Sequence, residues 1–344
     1  FGDTFNPKLG LAWAPVRSLN VRGTWGTSFK APLLSQMNPN DARALVYPSL
    51  FLDGSGGRTP GVRLFGSGVN LGPEESTNWT VGFDLTPPAL SGLELSTTYF
   101  DIDYEERIRT PVPSGYSAAG ILLDPTYASI ITRNPAAENV DALLAGFPTV
   151  VCFNPCPASA AITAIVDERV RNLAAVQTNG LDFSARYQLQ SPMGSWVLGL
   201  SGQYLLENRQ QLVPGTPEAS MLNGVWNPVD LRLRSSVSFK RDAFKAAAFM
   251  NYTDGYRDTR AAGLAGPLQR PRVASWTTVD LTLQFELTEQ AAFLGLSDAS
   301  LALNVSNLFD RNPPFIGSAL GLHYDSMNAS PLGRFIAVQI TSRW

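Results

Sequence analysis

The chain has 344 residues, a formal net charge of -3 and one histidine, with 44% hydrophobic but only 16% charged residues. Soluble domains carry roughly a quarter charged residues, so this is not an ordinary soluble composition, and the near-neutral charge without a basic stripe argues against nucleic acid as a partner. Two cysteines and one histidine leave too few soft ligands for a structural zinc site, and no apolar run approaches the ~20 residues of a transmembrane helix.

Wherever the sequence is regular, its period is two. Strands are predicted near residues 6–14 and 18–30; in the second, Leu19, Val21, Trp25 and Phe29 oppose Asn20, Arg22, Thr24 and Ser28. A long connection, 31–75, leads to strands near 76–87 and 92–108. The next connection, 109–176, contains "PTYASIITRNP", "NVDALLAGF" and "AAITAIVDERVRNLA". Their spacing predicts short helices folded into or over a mouth. Strands follow near 177–190 and 194–207, with Leu181, Phe183, Tyr187 and Leu189 against Asp182, Ser184, Arg186 and Gln188. Beyond a connection at 208–229 come strands near 230–241 and 244–256, then a connection at 257–272. The strand near 273–288 has the clearest alternation: Val279, Leu281, Leu283, Phe285 and Leu287 oppose Asp280, Thr282, Gln284 and Glu286. A strand near 299–310, a connection at 311–332 and a strand near 333–344 complete the chain. In the last, Ile336, Val338, Ile340 and Trp344 share one face.

Each of these roughly eleven strands reaches the 9–11 residues that cross a bilayer at a tilt, whereas globular strands average about 5–6. Short turns on one rim and long loops on the other are the habit of outer-membrane barrels. In lipid every backbone polar group must be paired internally, so only helices or closed barrels span. The fold class expected is therefore all-β: a transmembrane antiparallel β-barrel, here incomplete, with long extracellular loops. Trp13, Trp25, Trp79, Tyr99, Trp196, Tyr204, Trp276 and Trp344 are candidates for the aromatic girdles at the two interfaces.

Little in the sequence speaks for covalent chemistry. Cys152 and Cys156, in "VCFNPCP", most simply form a local disulfide that shapes a loop tip, with free thiols the alternative. "DIDYEERI" gathers Asp101, Asp103, Glu105 and Glu106, but lacks a calcium-loop glycine turn and reads as a solvated strand end. His323 has no nucleophile or second base near it in sequence, so a triad is unsupported. "GSGV" and "DGSGG" lack the Lys-Ser/Thr and helix of a phosphate cradle. No metal site and no cofactor are expected, and the protein is not expected to be an enzyme.

Several segments resemble, in order, those of the TonB-dependent outer-membrane receptors. "NPKLGLAWAPVRSLNVRGTWGTSFKAPLLSQ" is similar to that family's mid-barrel hairpin, and "LGPEESTNWTVGFDL" to its L-x-P-E-x-S-x-x-W lead-in to the next strand. "GLELSTTYFDIDYEERI" and "VQTNGLDFSARYQL" resemble the strands that follow. "LALNVSNLFDRNPPF" resembles the penultimate strand and "YDSMNASPLGRFIAVQITSRW" the terminal one. Members of the family carry an N-terminal plug and about 22 strands. No plug or TonB-contacting box is evident, so the expectation is that residues 1–344 are the C-terminal part of a receptor barrel. The resemblance implies a receptor in the outer membrane of a Gram-negative bacterium. It would take up a scarce ligand (a siderophore, cobalamin, a saccharide or similar) with energy delivered by the TonB complex through the plug. A passive porin and, further off, an outer-membrane enzyme are the alternatives. Partners implied are a small-molecule or metal-chelate ligand, outer-membrane lipid and the barrel assembly machinery, for which Trp344 resembles the C-terminal aromatic signal. Ligand contacts are sought among loop aromatics and arginines: Tyr47, Phe51, Arg58, Arg63, Phe65, Tyr116, Trp226, Tyr256, Arg257, Arg260 and Tyr324.

Overall fold

The computed structural model describes residues 4–68, 70–112, 118–211, 213, 217–258, 272–287, 297–317 and 323–343. In chain order, the elements begin with β1 (Lys8–Val16), β2 (Leu19–Lys30), β3 (Arg43–Leu52), β4 (Arg58–Phe65), β5 (Glu74–Leu85) and β6 (Leu93–Arg109). Next come β7 (Ile131–Arg133), α1 (Ala137–Ala145), β8 (Thr149–Cys152), β9 (Ala164–Asp167), β10 (Arg171–Ser191) and β11 (Gly194–Gln211). The remainder are β12 (Ala219–Ser220), β13 (Leu231–Arg241), β14 (Phe244–Thr253), β15 (Tyr256–Arg257), β16 (Arg272–Val273), β17 (Trp276–Glu286), β18 (Ser297–Ser306) and β19 (Phe335–Arg343).

Eleven strands form the wall in the order β1-β2-β5-β6-β10-β11-β13-β14-β17-β18-β19, with the short β12 added beside β11. Wall neighbours are antiparallel throughout. The wall is not closed: β1 and β19 are its two ends and do not pair with each other. β10 and β11, at 21 and 18 residues, continue well past the length needed to cross a bilayer.

Register sorts the side chains into two faces. One row runs Ile336–Val305–Leu281–Ala248–Val237–Leu198–Tyr187–Leu93 across eight strands. The row beside it holds Val338, Leu303, Leu283, Ala246, Phe239, Trp196 and Leu189. Several of these side chains are exposed, Ile336 at 57% and Val338 at 66%, which makes an extended apolar band of a kind soluble surfaces rarely carry. The opposite face has rows such as Asn20–Asp84–Ser96–Ser184–Ser201–Arg234–Asn251–Thr278. The two sets expected to alternate therefore do so, with Gln284 and Gln339 opposite Leu283 and Val338. Arg22 and Asp84 pair at 3.3 Å on the polar face, and Arg22 also donates to Thr98 at 2.7 Å.

Aromatic residues border the apolar band. Trp25 lies opposite Trp79, whose ring meets Tyr99 at 5.1 Å, toward the long loops. Trp196 packs on Phe239 at 4.5 Å near the short turns. From Trp196 to Tyr204 on the same face is eight residues, about 27 Å of strand. Trp276 is a correction. It stands opposite Thr253, which stands opposite Arg232, and so belongs to the polar face. Its position is even-numbered, in phase with Asp280 rather than Leu281. Trp344 lies outside the described residues.

Two further corrections concern the long connections. Residues 31–75 hold the hairpin β3–β4, where no strand was predicted. "AAITAIVDERVRNLA" is helical only at its start, where a 3-10 turn spans Ser159–Ala161; the rest forms β9 and the start of β10. In "PTYASI" the turn is a short 3-10 helix, while "AENVDALLA" is the α-helix α1.

Candidate functional site

The long connections build two lobes at the rim from which they leave the wall. The first combines the connections after β2 and β6 into a sheet ordered β7-β9-β4-β3-β8. β3 pairs antiparallel with β4, but β8 and β9 add in parallel, so the lobe closes only when both connections are present. Alternation along the strands feeds two apolar clusters. Ala44, Val46, Val62, Leu64 and Ile165 pack under Val140 of α1, while Phe51, Ala164 and Val166 pack with Ile121, Tyr127 and Ile130. Gly61 is required by this packing. A Cβ there would overlap the Phe51 ring and stand 2.8 Å from the Ala164 carbonyl oxygen.

Ion pairs and amides fasten this lobe. Arg63 donates twice to the buried Glu168, from Nε at 2.5 Å and Nη2 at 2.7 Å, a fork-to-fork pair of the strong kind. Its guanidinium also lies 4.6 Å from the Phe65 ring centroid. Asp167 is partly buried, which by itself would raise its carboxyl; Arg169 and Arg171 outweigh that and hold it below its ordinary value of 3.8. At the junction with the wall, the Asn172 side chain accepts from the Gly72 N–H at 2.9 Å and donates to the Glu106 carbonyl at 2.7 Å. Glu74 accepts from Lys30 at 3.0 Å and from the Ile108 N–H at 3.1 Å. Cys152 and Cys156 are joined by a disulfide beside Phe153, which stacks on Tyr47 at 4.5 Å.

The second lobe gathers the connections after β11, β14 and β18. Its apolar cluster is Val225, Val229, Tyr256, Val273 and Ile316. At its centre Asp325 is 1% exposed. That carboxylate accepts from the Trp226 N–H at 3.0 Å, the Met327 N–H at 2.9 Å and the Asn328 Nδ2 at 2.8 Å. The Tyr256 phenol is its fourth donor; burial, then this bond, pushes the phenol well above its ordinary pKa and keeps it neutral. Arg232, from the polar face of the wall, donates to the Asn328 side chain at 2.6 Å and the Met327 carbonyl at 3.1 Å. The lobe is thereby tied down onto the polar face. Arg232 also lines, with Ser96, Thr98, Asp182, Gln203, Arg234 and the apolar Phe183 and Leu233, an open hollow of about 430 Å³.

The expected contact residues fall into these two lobes. Tyr47, Arg58, Arg63 and Phe65 are on β3 and β4, Arg58 donating to the Leu50 carbonyl at 3.2 Å. Phe51 is fully enclosed and serves as core. Trp226, Tyr256, Arg257 and Tyr324 belong to the second lobe, with Tyr256 buried and Trp226 exposed. Tyr116 and Arg260 lie outside the described residues. Missed were Asp325, Asn328, Glu168 and Asn172. The Asx-turn pattern of "YDSMN" was a signal for the first two; for Glu168 and Asn172 there was none, since their partners lie about a hundred residues away.

No match was found among curated proteins. Among solved structures the chain is similar to a mutant of the ferric enterobactin receptor PfeA from Pseudomonas aeruginosa, with TM-score 0.61 and 17% identity over 99% of this chain and 40% of that one. It is also similar to the siderophore receptor PirA from Acinetobacter baumannii, with TM-score 0.60 and 16% identity over 98% and 41%. A third is the copper transporter OprC, with TM-score 0.52 and 12% identity over 97% and 38%. The chain thus spans about 40% of the length of these proteins, and at such identities the likeness is one of fold. A family model described as TonB dependent receptor-like, beta-barrel matches residues 1–308. A wall that is apolar on one face and polar on the other, crowned by two loop lobes and matched over that span, belongs to the TonB-dependent receptor β-barrel family.

Proposed function

We infer that this chain is part of an outer-membrane receptor that captures a scarce ligand at its loop lobes and imports it with energy from TonB. The observation that carries this reading is the wall itself: an apolar band edged by aromatic rings on one face, a polar face behind it, and lobes tied to that polar face. The band suits lipid, the aromatic rows suit its interfaces, and the polar face suits a wet lumen. An open wall edge in lipid would leave a row of backbone groups unpaired. Further strands are therefore proposed to complete the barrel beside β1 and β19, with a plug inside it as the element on which TonB acts. Siderophores are favoured as the ligand class, because the proteins named above are described as a ferric enterobactin receptor, a siderophore receptor and a copper transporter.

The test is uptake by cells with the gene deleted and restored, using a panel of ferric chelates labelled with radioactive iron, labelled cobalamin and labelled saccharides. The reading predicts that accumulation of one ligand class disappears on deletion, returns with the gene, and stops when the proton gradient is collapsed. Gene-dependent uptake that persists without the gradient would make the protein a passive channel instead.

A further inference from the structure

The first lobe's sheet ends on two edges, β7 and β8. A free edge shows unpaired backbone N–H and C=O groups, and proteins guard it with charge, bends or cover. β7 is guarded. It carries Arg133, whose guanidinium donates to the Leu122 carbonyl at 2.6 Å, and it runs into Asn134 at φ 45. β8 lacks both charge and cover. All of its residues, Thr149–Cys152, are exposed, and no charged residue stands between Asp141 and Asp167.

In a parallel pair, alternate residues turn their N–H and C=O toward the partner strand and the others turn theirs away. The Phe153 N–H donates to the Val46 carbonyl at 2.9 Å, and Val151, opposite Leu45, faces β3 in the same phase. Val150 and Cys152 therefore direct theirs outward, where no strand pairs with β8 among the described residues. Side chains along this edge are apolar and open to solvent, Val150 at 43%, Val151 at 40% and Phe153 at 42%. The edge is also held in place. Phe153 stacks on Tyr47 at 4.5 Å, and the disulfide from Cys152 to Cys156 ties the segment that follows. Order set before binding reduces the entropy lost on association.

The lobe itself grows by strand addition: β8 and β9, from the connection after β6, add to the β3–β4 hairpin from the connection after β2. We propose that β8 is a docking edge for an uncharged, extended peptide segment of a partner protein, which adds as one more strand to the sheet. The outward groups of Val150 and Cys152 supply the donors and acceptors, and the uncharged surroundings suit a peptide without charge. This goes beyond the receptor reading, adding a peptide partner to the small ligand, and does not depend on it.

The test uses the full-length protein in detergent micelles and a fluorescein-labelled hexapeptide of alternating valine and threonine, with a counterpart N-methylated at every amide. Fluorescence anisotropy gives affinity, and hydrogen exchange resolved to single amides gives the site. The unmethylated peptide is expected to bind and to slow exchange at Val150 and Cys152 roughly tenfold or more. Methylation removes the peptide's donors and should weaken binding roughly tenfold, the scale of a pair of lost backbone bonds. Val150→Pro removes an outward donor at a position where an edge strand accepts proline. It should weaken the unmethylated peptide roughly fivefold, with exchange along β3 and β4 unchanged. If exchange there rises, the variant has disturbed the lobe and the two peptides alone decide. No binding at about 1 mM peptide, equal affinity of the two peptides, or exchange at Val150 and Cys152 already slow without peptide would each overturn the proposal. The last result would mean that another part of the receptor covers the edge. The uptake panel judges the receptor reading separately.

Discussion

Single residues decide whether the first lobe forms. Glu168 is 4% exposed and is satisfied by the Arg63 fork, so removing the arginine strands a carboxylate away from water. Arg63→Met is expected to cost about 3–5 kcal/mol of lobe stability, whereas the double change Arg63→Met, Glu168→Leu should recover most of it, as buried pairs replaced by apolar groups do. Hydrogen exchange along β4 and β9 in the two variants checks this. Protection lost in the single variant and regained in the double is the expected pattern. Equal loss in both would mean that the pair's charge, not its desolvation, matters. Residues of this kind were largely illegible in the sequence. Arg63 could be singled out as a loop arginine, but only the parallel addition of β9 to β4 shows that it is a structural partner to Glu168.

At the scale of elements, the wall was readable because one rule, apolar residues in one phase and polar residues in the other, holds along its strands. β13 carries Leu231, Leu233, Val237 and Phe239 in one phase and Arg232, Arg234, Ser236 and Ser238 in the other. Its register with β11 and β14 keeps those phases aligned across the sheet. Val237→Arg, mid-wall on the apolar face, is expected to destabilise the folded barrel in lipid by about 2–4 kcal/mol, whereas Ser238→Arg should be near neutral. Denaturant titration of the refolded protein in vesicles measures both, and equal effects would mean that the faces are misassigned. The lobes were harder to read because no such rule governs them. β3 is interrupted by Pro48, and its apolar residues face a core on both sides. β9 is four residues long and makes sense only beside β4. In "AAITAIVDERVRNLA" the apolar spacing fits a helix as well as a strand, and tertiary pairing decided for the strand.

For the whole molecule, the wall is open at β1 and β19, and the chain spans about 40% of the length of its structural relatives. The eleven-strand wall reproduces the expected architecture in sequence order. The lobes account for why its long connections run to one rim. Function follows from the difference between the two faces. One face carries a band suited to lipid, and the polar face supports the second lobe through Arg232. The most direct test of that difference is a spin-label scan of β13 from Arg232 to Phe239 in the full-length protein in membranes, comparing collision with oxygen and with a water-soluble nickel chelate. Oxygen accessibility should peak at positions 233, 235, 237 and 239 and nickel accessibility at 232, 234, 236 and 238, in opposite phase. Profiles in phase with each other, or a period other than two, would contradict the assignment of one face to lipid and the other to a wet lumen.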